Sequence, residues 1–144
     1  MNWLLFLTIL IQVESNGDPT SVGDLNLKHH AYGVCQIREN YLEDVNAIAK
    51  TTYTIEQIKA SETLSKWAVM VYIKHYGQRY TRLTGKPLTM EVAARIHCGG
   101  PDGWKKKATD AYWEKFSREL SKQPKQPRPF RVVSGLYAAT ERTP

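Results

Sequence analysis

The sequence predicts one mainly α-helical domain, with a minimal β or irregular insert near its start and a flexible C-terminal tail. Three observations support this fold class. Apolar residues recur at helical spacing from about residue 41 to residue 120. The 144 residues, 42% hydrophobic and 24% charged, suit a single globular core. The stretch "SKQPKQPRPF" then favours an extended linker, because it alternates prolines with cations. We therefore expect a domain over residues 1–120 and a basic tail over 121–144.

The first segment is an almost unbroken apolar run from Trp3 to Ile11. It resembles the hydrophobic part of a signal peptide, but no Lys or Arg precedes it and no small-x-small cleavage site follows it. The run is also shorter than the ~20 residues that a membrane span requires, so no stable span is expected. We interpret it as a first helix of the domain, buried on all sides, with a cleaved or anchoring segment as the alternative.

Two non-helical segments follow this helix. The stretch "SNGDPTSVGD" is dense in Ser, Asn, Gly, Asp and Pro, which predicts a loop. The stretch "HHAYGVCQIREN" is short and apolar around a glycine, and its periodicity does not distinguish a strand from an irregular segment that lines a cleft.

The rest of the domain shows start and stop signals of helices. Tyr41 begins a run with helical spacing, and Thr54 with Gln57 forms a capping-box pattern. Ser61 is suited to cap a longer helix that "LTGKP" closes, and Thr89 opens a helix that "GGPDG" ends. A last helix is predicted to run to about residue 120, with one apolar face formed by Trp104, Ala108, Ala111, Tyr112 and Phe116.

The charges and the histidines indicate few partners. The net charge is +6, and five cations against one anion give the tail +4, which we interpret as a solvated face rather than a binding surface. No nucleic-acid module is recognisable, because aromatic residues are not interleaved with the basic ones. His29 and His30 are adjacent and do not converge on one ion, so neither a metal nor another cofactor is expected. We expect a monomer.

Glu14 has an unusual position, because it ends the buried first helix. The negative end of the helix dipole and the preceding apolar side chains both disfavour the charged carboxylate. A carboxylic acid that keeps its proton suits the protonation of a leaving group, although a solvated helix end is the simpler reading of the local sequence. Asp24 lies ten positions later, and paired carboxylates are the working groups of many glycosidases. Taken alone, Asp24 is more typical of a turn.

Three segments together resemble the lysozyme-like superfamily that includes goose-type lysozymes, soluble lytic transglycosylases and invertebrate-type lysozymes. They are "VES" at 13–15, "AYGVCQI" at 31–37 and "ARIHCGGPDGWKKKATDAYWEKF" at 94–116. The third is similar to the Ala-Arg-x-His-Asn-Gly-Gly-Pro-x-Gly segment of the invertebrate type. Their order and spacing cover the chain from about Trp3 to Leu120, which makes the combination specific although each motif alone is weak.

The resemblance implies cleavage of the β-1,4 bond between N-acetylmuramic acid and N-acetylglucosamine in peptidoglycan. By this resemblance Glu14 is the general acid, and Asp24 is the nearest match to a second catalytic carboxylate. Ser15 would steady the helix end, while Gly33 and Gln36 would line the sugar cleft.

The opposite wall of the cleft would be formed by His97, Cys98, Gly99 and Tyr112. Cys98 stands where these families usually have asparagine, which places substrate affinity in question because a thiol is a weak donor. Cys35 also falls in a cleft segment, so a disulfide is conceivable, although free buried thiols are favoured. The lack of the many disulfides of the invertebrate type indicates a phage or bacterial relative.

The alternatives stay open at this point. Water attack would give a hydrolase, and attack by the 6-hydroxyl of muramic acid would give a lytic transglycosylase. A glycan-binding or virion structural module that has lost turnover is the second hypothesis, and a chitin-directed glycosidase is the third.

Overall fold

The computed structural model describes residues 1–124, so most of the predicted tail lies outside the described residues. The prediction of a mainly helical domain with a minimal β insert is confirmed. The elements in chain order are α1 Trp3–Ser15, β1 Val22–Gly23, β2 Ala31–Tyr32, α2 Glu39–Ala49, α3 Ile55–Ala60, α4 Glu62–Thr84, α5 Met90–Gly99, two 3-10 helices at Gly103–Lys105 and Lys107–Thr109, and α6 Asp110–Ser121.

Helix α1 belongs to the domain and supplies a large part of its core. It packs on α6, and the rings of Phe6 and Phe116 lie 5.5 Å apart, both fully buried. The prediction that α1 is buried on all sides is wrong, however, because Leu4 is 79% exposed and Thr8 and Gln12 follow it on the same exposed face. In so small a domain the helix lies at the edge of the core, and one stripe of its surface stays in solvent.

The insert after α1 is a two-residue strand pair followed by a tight turn. Strands β1 and β2 pair antiparallel, with Val22 opposite Tyr32. An isolated bridge then joins Tyr32 to Ile37. Gly33 (φ 72°) and Gln36 (φ 49°) have left-handed backbones within this turn. The segment "HHAYGVCQIREN" therefore contains a two-residue strand, a turn over 33–36 and the start of α2, so its short strand and irregular parts are both present.

The predicted starts of the central helices are confirmed by their caps. The Thr54 hydroxyl accepts from the Gln57 amide and the Gln57 side chain accepts from the Thr54 amide, which completes the capping box of α3. Ser61 and Thr89 accept the first-turn amides of α4 and α5 in the same way. Gly85, in a left-handed conformation, ends α4. These caps are local interactions, and a reading of the sequence finds them for that reason.

The last helix begins later than predicted. Trp104 and Ala108 lie in the two 3-10 helices, and α6 starts at Asp110. The Thr109 hydroxyl lies 2.9 Å from the Gly103 carbonyl oxygen and accepts from the Arg95 guanidinium at 3.0 Å. The hydrogen bond from Arg95 of α5 and the bond to Gly103 hold residues 103–109 in tight turns, whereas the helical pattern alone would have continued the helix.

Gly103 is the position in this corner that tolerates no side chain. A Cβ atom there would lie 2.0 Å from the backbone oxygen of Arg95, and backbone cannot yield as a flexible side chain can. We expect Gly103→Ala to lower the free energy of unfolding by about 3 kcal/mol, measured by urea unfolding.

Gly17→Ala is the matched control, because Gly17 has φ 82° but no atom within 4 Å of the added Cβ. It should cost about 1 kcal/mol from backbone strain alone. Equal losses in the two variants would contradict the steric argument.

Candidate active site

A cavity of about 450 Å³ opens at the C-terminal end of α1. It is bounded by the turn after β2, the first half of α2, the corner that follows α5, and α6. Its lining is mostly polar and comprises Glu14, Asp24, Ala31, Gln36, Arg38, Asn40, Tyr41, Asp44, Tyr72, His97, Cys98, Gly99, Gly100, Pro101 and Tyr112.

The Glu14 carboxylate has two polar side chains against one of its oxygens. The Tyr112 hydroxyl donates to Glu14 Oε1 at 2.6 Å, and His97 Nε2 lies 3.2 Å from the same oxygen. The Glu14 side chain is 16% exposed, and Lys115 Nζ donates to the Val13 carbonyl beside it at 2.7 Å. The sequence indicated burial and an unfavourable helix end. The structure adds two polar side chains against Oε1, so the carboxylate is both confined and oriented.

His97 lies between Glu14 and a second tyrosine. Its Nδ1 is 3.2 Å from the Tyr41 hydroxyl, and its side chain is only 3% exposed. The Tyr41 ring stacks on Tyr72 with a centroid separation of 3.8 Å. Burial raises the pKa of Tyr41 well above its ordinary value, and burial together with the charge of Glu14 does the same for the pKa of Tyr112. Both hydroxyls therefore stay protonated and can donate near neutral pH.

Asp24 lines the same cavity and pairs with a cation. It follows β1 with a left-handed backbone (φ 56°), and its Oδ2 accepts from Arg38 Nε at 2.9 Å and from the Nη2 of the same guanidinium. The arrangement leaves Oδ1 without a hydrogen bond from residues 1–124, so one carboxylate oxygen is available to a ligand.

Gln36 lines the cavity, but its amide is already engaged by its own loop. Its Nε2 donates to the carbonyl oxygens of Ser21 and Gly33 at 3.1 and 2.9 Å. The Oε1 atom faces Gly23, where a Cβ would approach it to 2.2 Å. The side chain therefore braces β1 against the turn.

The other two predicted site residues lie outside the cavity lining. Ser15 ties the end of α1 to the turn, since its hydroxyl donates to the Val34 carbonyl at 2.9 Å. Gly33 faces away from the cavity, toward Lys59 and Ser65 of the neighbouring helices. Its function in the structure is the left-handed backbone of the turn and not close approach to a sugar.

The structure brings together the remaining predicted site residues, namely Glu14, Asp24, Gln36, His97, Cys98, Gly99 and Tyr112. It also adds residues that sequence reasoning missed. Tyr41 was interpreted as the start of a helical run, and nothing in the spacing of Tyr41 and Tyr72 indicates a stacked pair at a cavity wall. Arg38 and Asp44 gave no signal beyond being charged residues near the start of α2.

Two tryptophans support the core, and one lysine reaches the rim of the cavity. Trp67 packs edge to face on Tyr53, and Trp113 stacks on Phe116, so both support the core. Lys106 reaches the rim, where its Nζ donates to the Gly99 carbonyl at 2.7 Å. Within residues 1–124, no three metal-binding side chains cluster, and no helix has the length and apolarity that crossing a membrane requires.

The two cysteines are free, as favoured from the sequence, but only Cys35 is buried. The expectation of a buried thiol is wrong for Cys98, which is exposed at the cavity. Burial raises the pKa of the Cys35 thiol to about 12. Partial burial, followed by the charge of Glu14, raises the pKa of Cys98 less far.

This difference in exposure gives a labelling prediction. Iodoacetamide at pH 8 should modify Cys98 and leave Cys35 unmodified in the native protein, because the buried thiol is neither accessible nor ionised. Intact mass spectrometry should show one adduct natively and two after unfolding in guanidinium. A native protein that takes no label until it is reduced would contain a disulfide and contradict the assignment.

Comparison with known proteins agrees with this geometry. The chain is 32% identical to a lysozyme of Magallana gigas over 113 residues, which are 78% of this chain and 77% of that protein. It is 37% identical to a lysozyme of Meretrix lusoria over 54 residues, which are 38% of this chain and 44% of that protein. No protein-family model matches the chain.

The comparison with solved structures also finds lysozymes. The crystal structure of Tapes japonica lysozyme superposes with a TM-score of 0.64 at 26% identity, over 79% of this chain and 87% of that one. A chain in the complex of Aeromonas hydrophila PliI with Meretrix lusoria lysozyme gives a TM-score of 0.66 at 27% identity, with the same coverage. These relatives do not support the goose-type, lytic transglycosylase or phage affinities expected from the sequence. The chain belongs to the invertebrate-type lysozymes.

Proposed function

We propose that the protein is a muramidase that cleaves the β-1,4 bond between N-acetylmuramic acid and N-acetylglucosamine in peptidoglycan. Glu14 is the general acid of this proposal, and Asp24 is the second carboxylate. One observation carries the proposal. In this chain of the lysozyme family, the confined Glu14 carboxylate has Tyr112 and His97 against one oxygen. It opens on a cavity that holds a second carboxylate.

The geometry of Glu14 suits proton delivery to a leaving group. Tyr112 and His97 both lie against Oε1, and Oε2 has no hydrogen bond from residues 1–124. A proton carried on Oε2 is therefore free to pass to the glycosidic oxygen, which leaves as the 4-hydroxyl of N-acetylglucosamine. The bond to C1 of muramic acid breaks, and positive charge develops on that sugar ring.

Asp24 is suited to stabilise that charge. Asp24 lines the cavity, and Arg38 holds its Oδ2 and orients the carboxylate, while Oδ1 has no hydrogen bond from residues 1–124. Water then attacks C1 and gives its proton to the Glu14 carboxylate, which the first step left deprotonated, and the product is a reducing sugar. The alternative of attack by the 6-hydroxyl of muramic acid would need no second carboxylate, so the presence of Asp24 in the cavity favours hydrolysis.

Other cavity groups supply recognition of the glycan. The rim provides backbone at Gly99 and Gly100, and the far end provides Asn40 and the Asp44 carboxylate, which accepts from the Tyr76 hydroxyl at 3.1 Å. The Tyr72 face and these polar groups suit a ligand that is rich in hydroxyl and acetamido groups and also has apolar ring faces.

Glu14→Gln tests the acid. The amide keeps an oxygen that can accept from Tyr112 and His97, but it has no proton to give. We expect the rate of clearing of purified bacterial cell walls, followed as turbidity, to fall by about 10²–10⁴-fold. Glu43→Gln, which changes an exposed carboxylate outside the cavity, should retain the rate of the unmodified protein.

Two outcomes would contradict the proposal. Full activity of Glu14→Gln would exclude Glu14 as the acid. No clearing by the unmodified protein, together with sedimentation on the same walls, would indicate a glycan-binding module instead, and chitin oligomers assayed in parallel would reveal a chitin-directed enzyme.

Asp24→Asn tests the second carboxylate. Loss of the charge that faces the developing cation should lower the turnover by about 10²-fold or more, measured with the same walls. Asp18→Asn is the control in the same loop, because Asp18 is exposed and lies outside the cavity.

Mass spectrometry of the products completes this test. Muropeptides released in ¹⁸O-water should carry the heavy oxygen at a reducing muramic acid end. Anhydro ends from the unmodified protein, with turnover unaffected by Asp24→Asn, would assign the protein as a transglycosylase.

A further inference from the structure

Tyr41 is a buried hydroxyl that the proposed chemistry does not use. It lies 3.2 Å from His97 Nδ1 and is 8% exposed. Within residues 1–124, His97 is its only side-chain hydrogen-bond partner. A buried hydroxyl hydrogen without an acceptor is costly, so the direction of this single hydrogen bond has consequences for the imidazole.

Three states of the imidazole are possible, and only one satisfies every group. If Nε2 carries the proton, it donates to Glu14 Oε1, and Nδ1 accepts from the Tyr41 hydroxyl. If Nδ1 carries the proton instead, a lone pair on Nε2 faces the Glu14 oxygen at 3.2 Å. If both nitrogens are protonated, the Tyr41 hydrogen has no acceptor among the described residues. The first state is the one that leaves no group unpaired.

The groups that face this pair from the neighbouring elements support the same state. Tyr72 of α4 stacks on Tyr41, Tyr112 of α6 contacts Glu14, and Cys35 of the turn is buried nearby. Burial raises the pKa of each of these three groups, so all are neutral near pH 7. Tyr72, Tyr112 and Cys35 therefore bring no charge to the imidazole, and Tyr41 is the group that opposes its full protonation.

We propose that Tyr41 is a positioning residue that holds His97 in the neutral tautomer protonated on Nε2, so that His97 and Tyr112 both donate to Glu14 Oε1 and the acid carries its proton on Oε2. This inference rests on the proposed muramidase function. A doubly protonated His97 would instead form an ion pair with Glu14 and hold it ionised, which is the wrong state for an acid. Tyr41 thus acts through His97 and transfers no proton itself.

The test is Tyr41→Phe, with Tyr80→Phe as the matched control. The phenylalanine ring keeps the stack on Tyr72 and removes only the hydroxyl. Tyr80 is 7% exposed, packs on Trp104 and lies outside the cavity, so its variant removes a hydroxyl from a similarly buried ring away from the site. Thermal unfolding of both variants establishes that each is folded.

The first readout is independent of activity. With ¹⁵N-labelled histidine ring nitrogens at pH 7, His97 of the unmodified protein should show a protonated Nε2 and an unprotonated Nδ1. The His97→Gln variant assigns these signals, since the chain has 4 histidines. Tyr41→Phe should shift His97 toward a tautomer mixture or the doubly protonated ring, and Tyr80→Phe should leave it unchanged.

The second readout is the division between kcat and KM on soluble glycan fragments. Tyr41→Phe should lower kcat by about tenfold, the equivalent of one net hydrogen bond, with KM changed less than twofold. In a His97→Gln background the same substitution should change kcat less than twofold, because the residue through which Tyr41 acts is gone.

The outcomes separate this inference from the function. A wild-type His97 protonated on Nδ1 or on both nitrogens overturns the inference, even if the protein clears walls. An unchanged His97 spectrum in Tyr41→Phe also overturns it. If the unmodified protein has no muramidase activity, the expected NMR result still supports the hold of Tyr41 on His97, whereas the muramidase proposal fails.

Discussion

The packing of α1 against α6 is the constraint on which the site depends. The Tyr112 hydroxyl reaches Glu14 across 98 residues of sequence, and Lys115 of the same helix donates to the carbonyl that precedes Glu14. Both contacts require α1 and α6 to lie together, and the burial of Phe6 against Phe116 brings that about. Apolar packing thus places a carboxylate at an opening in the surface, where its hydrogen bonds then fix its orientation.

Two loop segments beside these packed helices form the walls of the cavity, and backbone conformation determines the shape of both. The corner after α5 is drawn close because Gly103 allows backbone to touch backbone, and the Thr109 side chain holds the following tight turns. The opposite wall is the left-handed turn after β2, which Gln36 braces from within. Neither wall is formed by regular secondary structure, so the functional surface is shaped by loops that a helical core supports.

The groups around Glu14 connect it to the interior of the domain. Tyr41 contacts His97, and His97 contacts Glu14, in a row that runs from the interior to the cavity. Each buried polar group in this row has a partner, and the aromatic stack of Tyr41 on Tyr72 restricts the first of them. A satisfied network of this kind keeps one carboxylate oxygen occupied and leaves the other without a hydrogen bond from residues 1–124.

Much of the fold was predictable, because its signals are local. The caps at Thr54, Ser61 and Thr89 act within three residues, and the glycine-rich corner ends α5 by backbone conformation alone. Predictions failed where a distant contact overrides a local pattern. Trp104 continues a helical spacing, yet the hydrogen bonds of Thr109 with Arg95 and Gly103 hold its segment in 3-10 turns. Leu4 continues an apolar run, yet the edge of the core leaves it in solvent.

The same division holds for the site. The sequence by itself determined that Glu14 ends an apolar helix, because helix periodicity is encoded by neighbouring residues. The grouping of the segments around Gln36 and His97 with Glu14 came from the resemblance of their motifs to a known superfamily. Only the tertiary structure decided that Arg38 pairs with Asp24 and that the Gln36 amide donates to carbonyls of its own loop. It also decided that Tyr41 contacts His97, which lies 56 residues away in the sequence. Hydrogen bonds and ion pairs act over a few ångströms, and which side chains come within that distance depends on how the helices pack.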